Sequence, residues 1–177
     1  MKFFSIPSVL AAAAILSGCG TGMVSKIYEG EEKPDSEISS VFSGVTMHEG
    51  EQWAVVFLGV DQTLCPEDTL MSDNGPLPKN HCRTLLKLGP GDHQLRVVVQ
   101  SINKVKFVGP IGTNSWKRTD SFLLPSMRFE AGTLYKVMPI RTESGWSAKI
   151  EASCKSENFQ KSIFKMRPAA NGGYECT

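Results

Sequence analysis

The chain has 177 residues, with 19 Lys and Arg against 18 Asp and Glu, and 41% of it is hydrophobic. That length fits one domain with a real core, and the hydrophobic content excludes a disordered chain. A net charge near zero excludes nucleic acid as the main partner. The first element is a removable leader over residues 1–18. Lys2 supplies a positive start, Phe3 to Leu16 is almost wholly apolar, and Ser17-Gly18 provides small residues for cleavage. Pro7 and Ser8 shorten the apolar run below the roughly 20 residues of a transmembrane helix.

The exit from the leader is more specific. Leu16-Ser17-Gly18-Cys19 resembles the lipobox of bacterial lipoproteins. The resemblance implies cleavage before Cys19, acylation of Cys19 and membrane attachment through that lipid. The chemistry needs Cys because the thiol is the nucleophile that takes the diacylglycerol. Several acyl chains anchor far more firmly than one. Position +2 is Gly20 and not Asp, which by the same resemblance implies a place in the outer membrane facing the periplasm, with surface exposure left open. Residues 19–34 are then expected to be a solvated tether, and residues 35–177 the folded domain.

Along the domain, Pro34-Asp35 marks a turn before a short strand around residues 37–43. Trp53 to Val60 is β-branched and aromatic and reads as a buried central strand. Residues 61–82 are dominated by turn formers and read as a long loop, of the kind that often carries function. Arg83–Leu88 and His93–Val99 read as a hairpin about Gly89-Pro90-Gly91-Asp92, with Leu95, Val97 and Val99 alternating with Gln94, Arg96 and Val98. Residues 103–120 form a basic connection. Ser121 to Glu130 resumes as a strand in which Pro125 marks an edge or bulge. Thr133–Arg141 and Trp146–Ser153 make another hairpin about Glu143-Ser144-Gly145. Phe159 to Met166 is a last strand or a short helix, broken by Pro168 and Asn171-Gly172-Gly173.

Frequent short strands with turn signals between them predict an all-β chain, a single antiparallel β-sandwich. Leu88-Gly-Pro-Gly-Asp-His-Gln-Leu-Arg-Val97 resembles a hairpin of PEGA-like domains and of many bacterial lipoproteins. Phe129-Glu-Ala-Gly-Thr-Leu-Tyr135 fits a later element of the same pattern, while Val60-Asp61-Gln62 lacks the Gly expected there. The resemblance spans roughly residues 53–140. It implies an immunoglobulin-like or transthyretin-like sandwich and no activity.

The five cysteines are Cys19, Cys65, Cys82, Cys154 and Cys176. With Cys19 acylated, the remaining four read as two disulfides in an exported chain. Three pairings are open, and Cys65–Cys82 with Cys154–Cys176 is preferred because both close short loops. Cys65, His81, Cys82 and His93 make a poor zinc set, since no C-x₂₋₄-C is present and His81 and Cys82 are adjacent. No C-x-x-C redox pair occurs either. No metal and no cofactor are expected.

His93 beside Asp92 has the form of a base and its orienter, and His48 stands alone; a solvated turn histidine explains His93 equally well. There is no G-x-S-x-G, and Gly109-Pro-Ile-Gly112 lacks the Lys-Ser/Thr of a phosphate loop. From Lys79 to Arg118, eight basic residues face one acid, Asp92. Lys87, Arg96, Lys104, Lys106, Lys117 and Arg118 form a candidate face for an anionic partner, with Trp116 beside it; the alternative is an ordinary solvated face. Strand alternation places Lys87 and Arg96 outward and close together across the Gly89–Asp92 turn. Trp53 and Trp146 are expected in the core. Together these readings predict a non-enzymatic envelope lipoprotein, a structural or binding module at the periplasmic face of the outer membrane. Its partner would be an envelope protein or an anionic glycan. The alternatives are an accessory subunit of an envelope secretion or transport complex, and an envelope enzyme or inhibitor acting through the 61–82 loop.

Overall fold

A computed structural model describes residues 24–66, 81–82, 85–102, 117–159, 166–168 and 174–176. The leader, Cys19, Lys104, Lys106 and Trp116 lie outside these described residues, as does most of the 61–82 loop.

The described residues are mostly strand: β1 (Val24–Lys26), β2 (Ser39–Ser43), β3 (Val45–His48), β4 (Glu51–Val60), β5 (Thr63–Leu64), β6 (Leu85–Leu88), β7 (Gly91–His93), β8 (Leu95–Ile102), β9 (Phe122–Leu123), β10 (Met127–Phe129), β11 (Thr133–Thr142), β12 (Gly145–Lys155), β13 (Met166–Pro168) and β14 (Tyr174–Cys176). The first five-stranded sheet has the order β1-β6-β2-β11-β12. The second runs β3-β4-β8-β9, with β5 paired to β4. β7–β10 and β13–β14 are separate two-stranded ribbons.

The all-β expectation holds, but the pairing is not uniformly antiparallel. β1 runs parallel to β6, and β2 parallel to β11. β1 also carries the fold into the stretch expected to be tether: Val24 pairs with Leu85, and the Ile27 N–H donates to the Lys87 carbonyl at 2.9 Å.

Alternation explains how the two sheets meet. Val41, Leu86, Leu88, Tyr135 and Val137 of the first sheet pack in one core with Trp53, Val55, Phe57, Val97 and Val99 of the second. The opposite face of the first sheet is also apolar. Phe42, Leu85 and Leu134 there join Ile38, Cys154 and Phe159 in a second cluster, flanked by Val24, Tyr28 and Cys176. The first sheet is therefore covered on both sides, which is why β2 and β6 are buried at nearly every position.

The expected hairpin over 83–99 does not form. β6 belongs to the first sheet and β8 to the second, so Gly89–Asp92 carries the chain from one sheet to the other. Gly91 has φ 145°, and β7 leaves the path to pair with β10. Pro125 likewise separates β9, on the second sheet, from β10 on the ribbon. The hairpin of β11 and β12 is as expected, with a bulge at Lys136/Val137. β3 was not expected: it turns into β4 through Glu49 and Gly50, both left-handed at φ 51° and 77°, the signature of a type I′ turn.

Candidate functional site

Four arrangements bring chemically interesting side chains together. The first is Asp61 with His93. Asp61 follows β4 in the left-handed region, at φ 54°. Its Oδ2 lies 2.8 Å from His93 Nδ1, and its Oδ1 accepts the Gln94 N–H at 2.8 Å. The Asp61 N–H returns a bond to the Gln94 carbonyl at 2.7 Å. His93 Nε2 lies 2.9 Å from the Gly89 carbonyl oxygen. Burial alone would raise the Asp61 pKa, but the bonds from His93 and Gln94 and the His93 charge outweigh it and hold the carboxyl below its usual value. Both imidazole nitrogens face acceptors, so both contacts are hydrogen bonds at once only when both nitrogens carry protons. Both nitrogens are thus engaged by groups of the fold itself. The expected Asp92–His93 pair is not the one that forms; Asp61 orients the ring, and the arrangement clamps the β4–β5 turn to the crossing between sheets.

The second is Lys87. Its Nζ lies 3.0 Å from Glu32 Oε1 and 3.2 Å from Asp35 Oδ1, with only 11% of the side chain exposed. Asp35 Oδ2 also accepts the Phe159 N–H at 2.8 Å. Burial disfavours the Lys87 charge, yet the bonds to Glu32 and Asp35 prevail and raise its pKa; the same contact lowers that of Glu32. This corrects the expected cationic face. Lys87 shares its side of the first sheet with Leu85, whereas Arg96 lies on the second sheet. The two cations do not meet, because the turn between them is a crossing. Lys87 is neutralised internally, by Glu32 of the segment expected to be tether and by Asp35 just after it.

The third is the outer face of the second sheet. Arg96 pairs across to Leu123 and to Gly59, and Gln100 lies two rows along on the same face, bridged to Arg118. Arg118 Nε donates to Gln100 Oε1 at 2.9 Å, and burial lowers the Arg118 pKa. Lys117 Nζ lies 2.8 Å from Glu51 Oε1. Of the six cations expected to share a face, the structure brings Arg96 and Arg118 to one side of one sheet, ties Lys117 to Glu51, and removes Lys87.

The fourth was missed by sequence reasoning. Where the β3–β4 and β11–β12 turns meet, Trp53 and Trp146 stack at 4.3 Å between ring centroids. His48 stands edge-on to Trp146 at 5.3 Å, and the Arg141 guanidinium lies 5.7 Å above its ring. His48 is thus placed by aromatic packing. Trp53 is a core residue as expected, while Trp146 is half-buried at the rim.

Cys65–Cys82 and Cys154–Cys176 are the two disulfides, with Cα atoms 5.1 and 5.8 Å apart. Bonded to each other, Cys65 and Cys82 are not available as zinc ligands. The Phe129–Tyr135 pattern also gains a cause. The two rings meet edge-on at 4.9 Å, the Glu130 N–H donates to Tyr135 Oη at 2.9 Å, and Gly132 turns the chain at φ 68°. No protein-family model matches the chain, and no curated protein or solved structure is significantly similar to it.

Proposed function

We propose that the protein is a non-enzymatic envelope lipoprotein, anchored through Cys19 in the outer membrane and facing the periplasm, with the sandwich as a structural or binding module. The cysteine pattern carries this reading. The two disulfides consume Cys65, Cys82, Cys154 and Cys176 and leave one thiol, Cys19, inside Leu16-Ser17-Gly18-Cys19. Disulfides belong to an oxidising compartment, which the leader would reach. The capped nitrogens of His93 and the aromatic setting of His48 support a non-catalytic role.

The sandwich is proposed to be immunoglobulin-like or transthyretin-like, with β2 running beside β11 in its first sheet. The module's partner is proposed to be an anionic envelope glycan or protein meeting Arg96 and Arg118. Its binding should weaken with salt, since charges on a half-exposed surface such as Arg96 and Arg118 are still screened beyond about 8 Å at physiological ionic strength. Reversing both residues to Glu should abolish retention on lipopolysaccharide or peptidoglycan; unchanged retention removes this partner.

The anchor is tested by Cys19→Ser. The expected result is loss of palmitate incorporation and release of the protein from the membrane fraction, or accumulation of an unprocessed form. Palmitate labelling that survives the change overturns the reading.

A further inference from the structure

The folded sheet begins much nearer to Cys19 than a tether of residues 19–34 would permit. β1 starts at Val24, five residues after Cys19. Five peptide steps span at most about 18 Å. β1 is also firmly held. Val24 and Tyr28 pack on the second cluster, Ile27 is hydrogen-bonded to the Lys87 carbonyl, and Glu32 and Asp35 close on the Lys87 ammonium. Peeling β1 away to lengthen the tether would expose that apolar surface, and peeling on through Glu32 and Asp35 would strip Lys87 of its partners.

The direction of β1 decides which end of the sandwich faces the lipid. Val24 lies in one row with Leu85, Phe42 and Lys136. β1 is parallel to β6, and β6 antiparallel to β2 and hence to β11. The N-terminal end of β1 therefore points toward the end at which β11 turns into β12. From Lys136, β11 continues in that direction to Arg141, another five residues. At about 3.3 Å per residue that is about 17 Å. Even with its linker fully extended, the Cys19 Cα thus reaches only about the level of the β11–β12 turn, and the lipid it carries begins there.

Resting on the lipoprotein reading, we infer that the end of the sandwich formed by the β3–β4 and β11–β12 turns is seated in the headgroup layer of the bilayer, with Trp146 as its anchor. The chemistry of that end suits the place. Trp146 is half-buried on Trp53, and tryptophan concentrates at membrane interfaces. Arg141, stacked over Trp146 and exposed, can extend its guanidinium to lipid phosphates. Met47, 61% exposed, adds apolar surface on β3. Glu49 and Glu143, both exposed on the turns, keep the contact at headgroup depth rather than in the acyl core.

The test uses the full lipidated protein reconstituted into phosphatidylethanolamine/phosphatidylglycerol vesicles carrying phospholipids brominated near the headgroup end of the acyl chain. Tryptophan emission should be quenched, and Trp146→Phe should lose most of that quenching while remaining vesicle-bound. A second variant leaves the sandwich untouched: a flexible Gly/Ser insertion between Gly22 and Met23 should also lose quenching, because the domain can then stand off. Quenching that is equal in wild type, Trp146→Phe and the insertion variant, with all three lipidated and bound, overturns the seated orientation alone. Absence of both palmitate and vesicle binding in the wild type overturns the lipoprotein reading and, with it, this inference.

Discussion

Asp61 and His93 are 32 residues apart in sequence and meet at 2.8 Å, fastening the end of β4 to the crossing between the two sheets. The pair gives a cause to the Leu88–Val97 pattern, whose histidine serves the fold. Asp61→Asn should destabilise the domain by about 1 kcal/mol, since a charge-assisted bond is weakened at a half-exposed site. His93→Ala should cost a similar amount, and the double variant should cost less than the sum. The lowered Asp61 pKa sets the sign of the pH effect. Its stabilising contribution is present above the ordinary carboxylate value and is lost as pH falls through the lowered one. Denaturant titrations from pH 7 down to pH 2 should show this acid loss shrink in Asp61→Asn.

Lys87 is held by two carboxylates of unequal burial, and the inequality predicts a ranking. Asp35 has 16% of its side chain exposed and also holds the Phe159 N–H, whereas Glu32 is 74% exposed. Asp35→Ala should therefore cost about 2–3 kcal/mol, and Glu32→Ala under about 1 kcal/mol. The Lys87 pKa is raised, so its contribution is complete below the ordinary lysine value of about 10.4 and is lost as pH rises through the raised one. Chemical denaturation between pH 8 and 12 should show an alkaline fall in stability that Lys87→Met removes.

Gly59 marks a place where backbone meets backbone. It lies opposite Leu64 at the bulge in β4, and a Cβ there would overlap the Thr63 carbonyl oxygen and approach the Leu64 Cα to 3.1 Å. Neither obstacle is a flexible side chain. Gly59→Ala should therefore lose about 2 kcal/mol or more by forcing β5 off β4. Gly44 makes a useful control. Its nearest obstacles are the ends of Met138 and Lys136, which can move, so Gly44→Ala should cost less in the same thermal unfolding assay.

What could be read from the sequence followed local chemistry. Trp53–Val60 and the β11–β12 hairpin are strong in β-branched and aromatic residues and have turn formers at their ends, so they were legible. Gly89-Pro-Gly-Asp signals a turn but not a hairpin, because turn residues specify a reversal without specifying which sheet receives the next strand. That one ambiguity put Lys87 beside Arg96. β1 was hidden because Val24-Ser25-Lys26 is too short and polar to signal a strand; it is held by register with β6 and by the second cluster. Alternation alone gave Lys87 to solvent. Its burial depends on Glu32 and Asp35, which are more than 50 residues away. The Trp53–Trp146 stack was equally invisible, since only the facing of two sheets brings those rings together.

The two disulfides close loops of 17 and 22 residues, and the chain-entropy model assigns each about 3 kcal/mol, with a difference between them of only a few tenths. Their surroundings are not equivalent. Cys65 and Cys82 are buried in the main core, and their N–H groups also donate to the Leu58 and Phe57 carbonyls of β4, itself paired to β8 along its length, so both ends of that loop stay held without the bond. Cys154–Cys176 joins β14 to β12 and packs in the second cluster with Phe159 and Leu134. Among the described residues, β14 is otherwise paired only to β13. Releasing this bond should therefore free the ribbon and loosen the cover over β2 and β6, adding lost burial to the entropic term. Cys154→Ser with Cys176→Ser should cost more than Cys65→Ser with Cys82→Ser, by about 1 kcal/mol or more, in equilibrium urea denaturation. Hydrogen exchange should locate the difference at Phe42, Leu85 and Leu134. Equal losses for the two double variants would mean that the ribbon adds no packing beyond the crosslink itself.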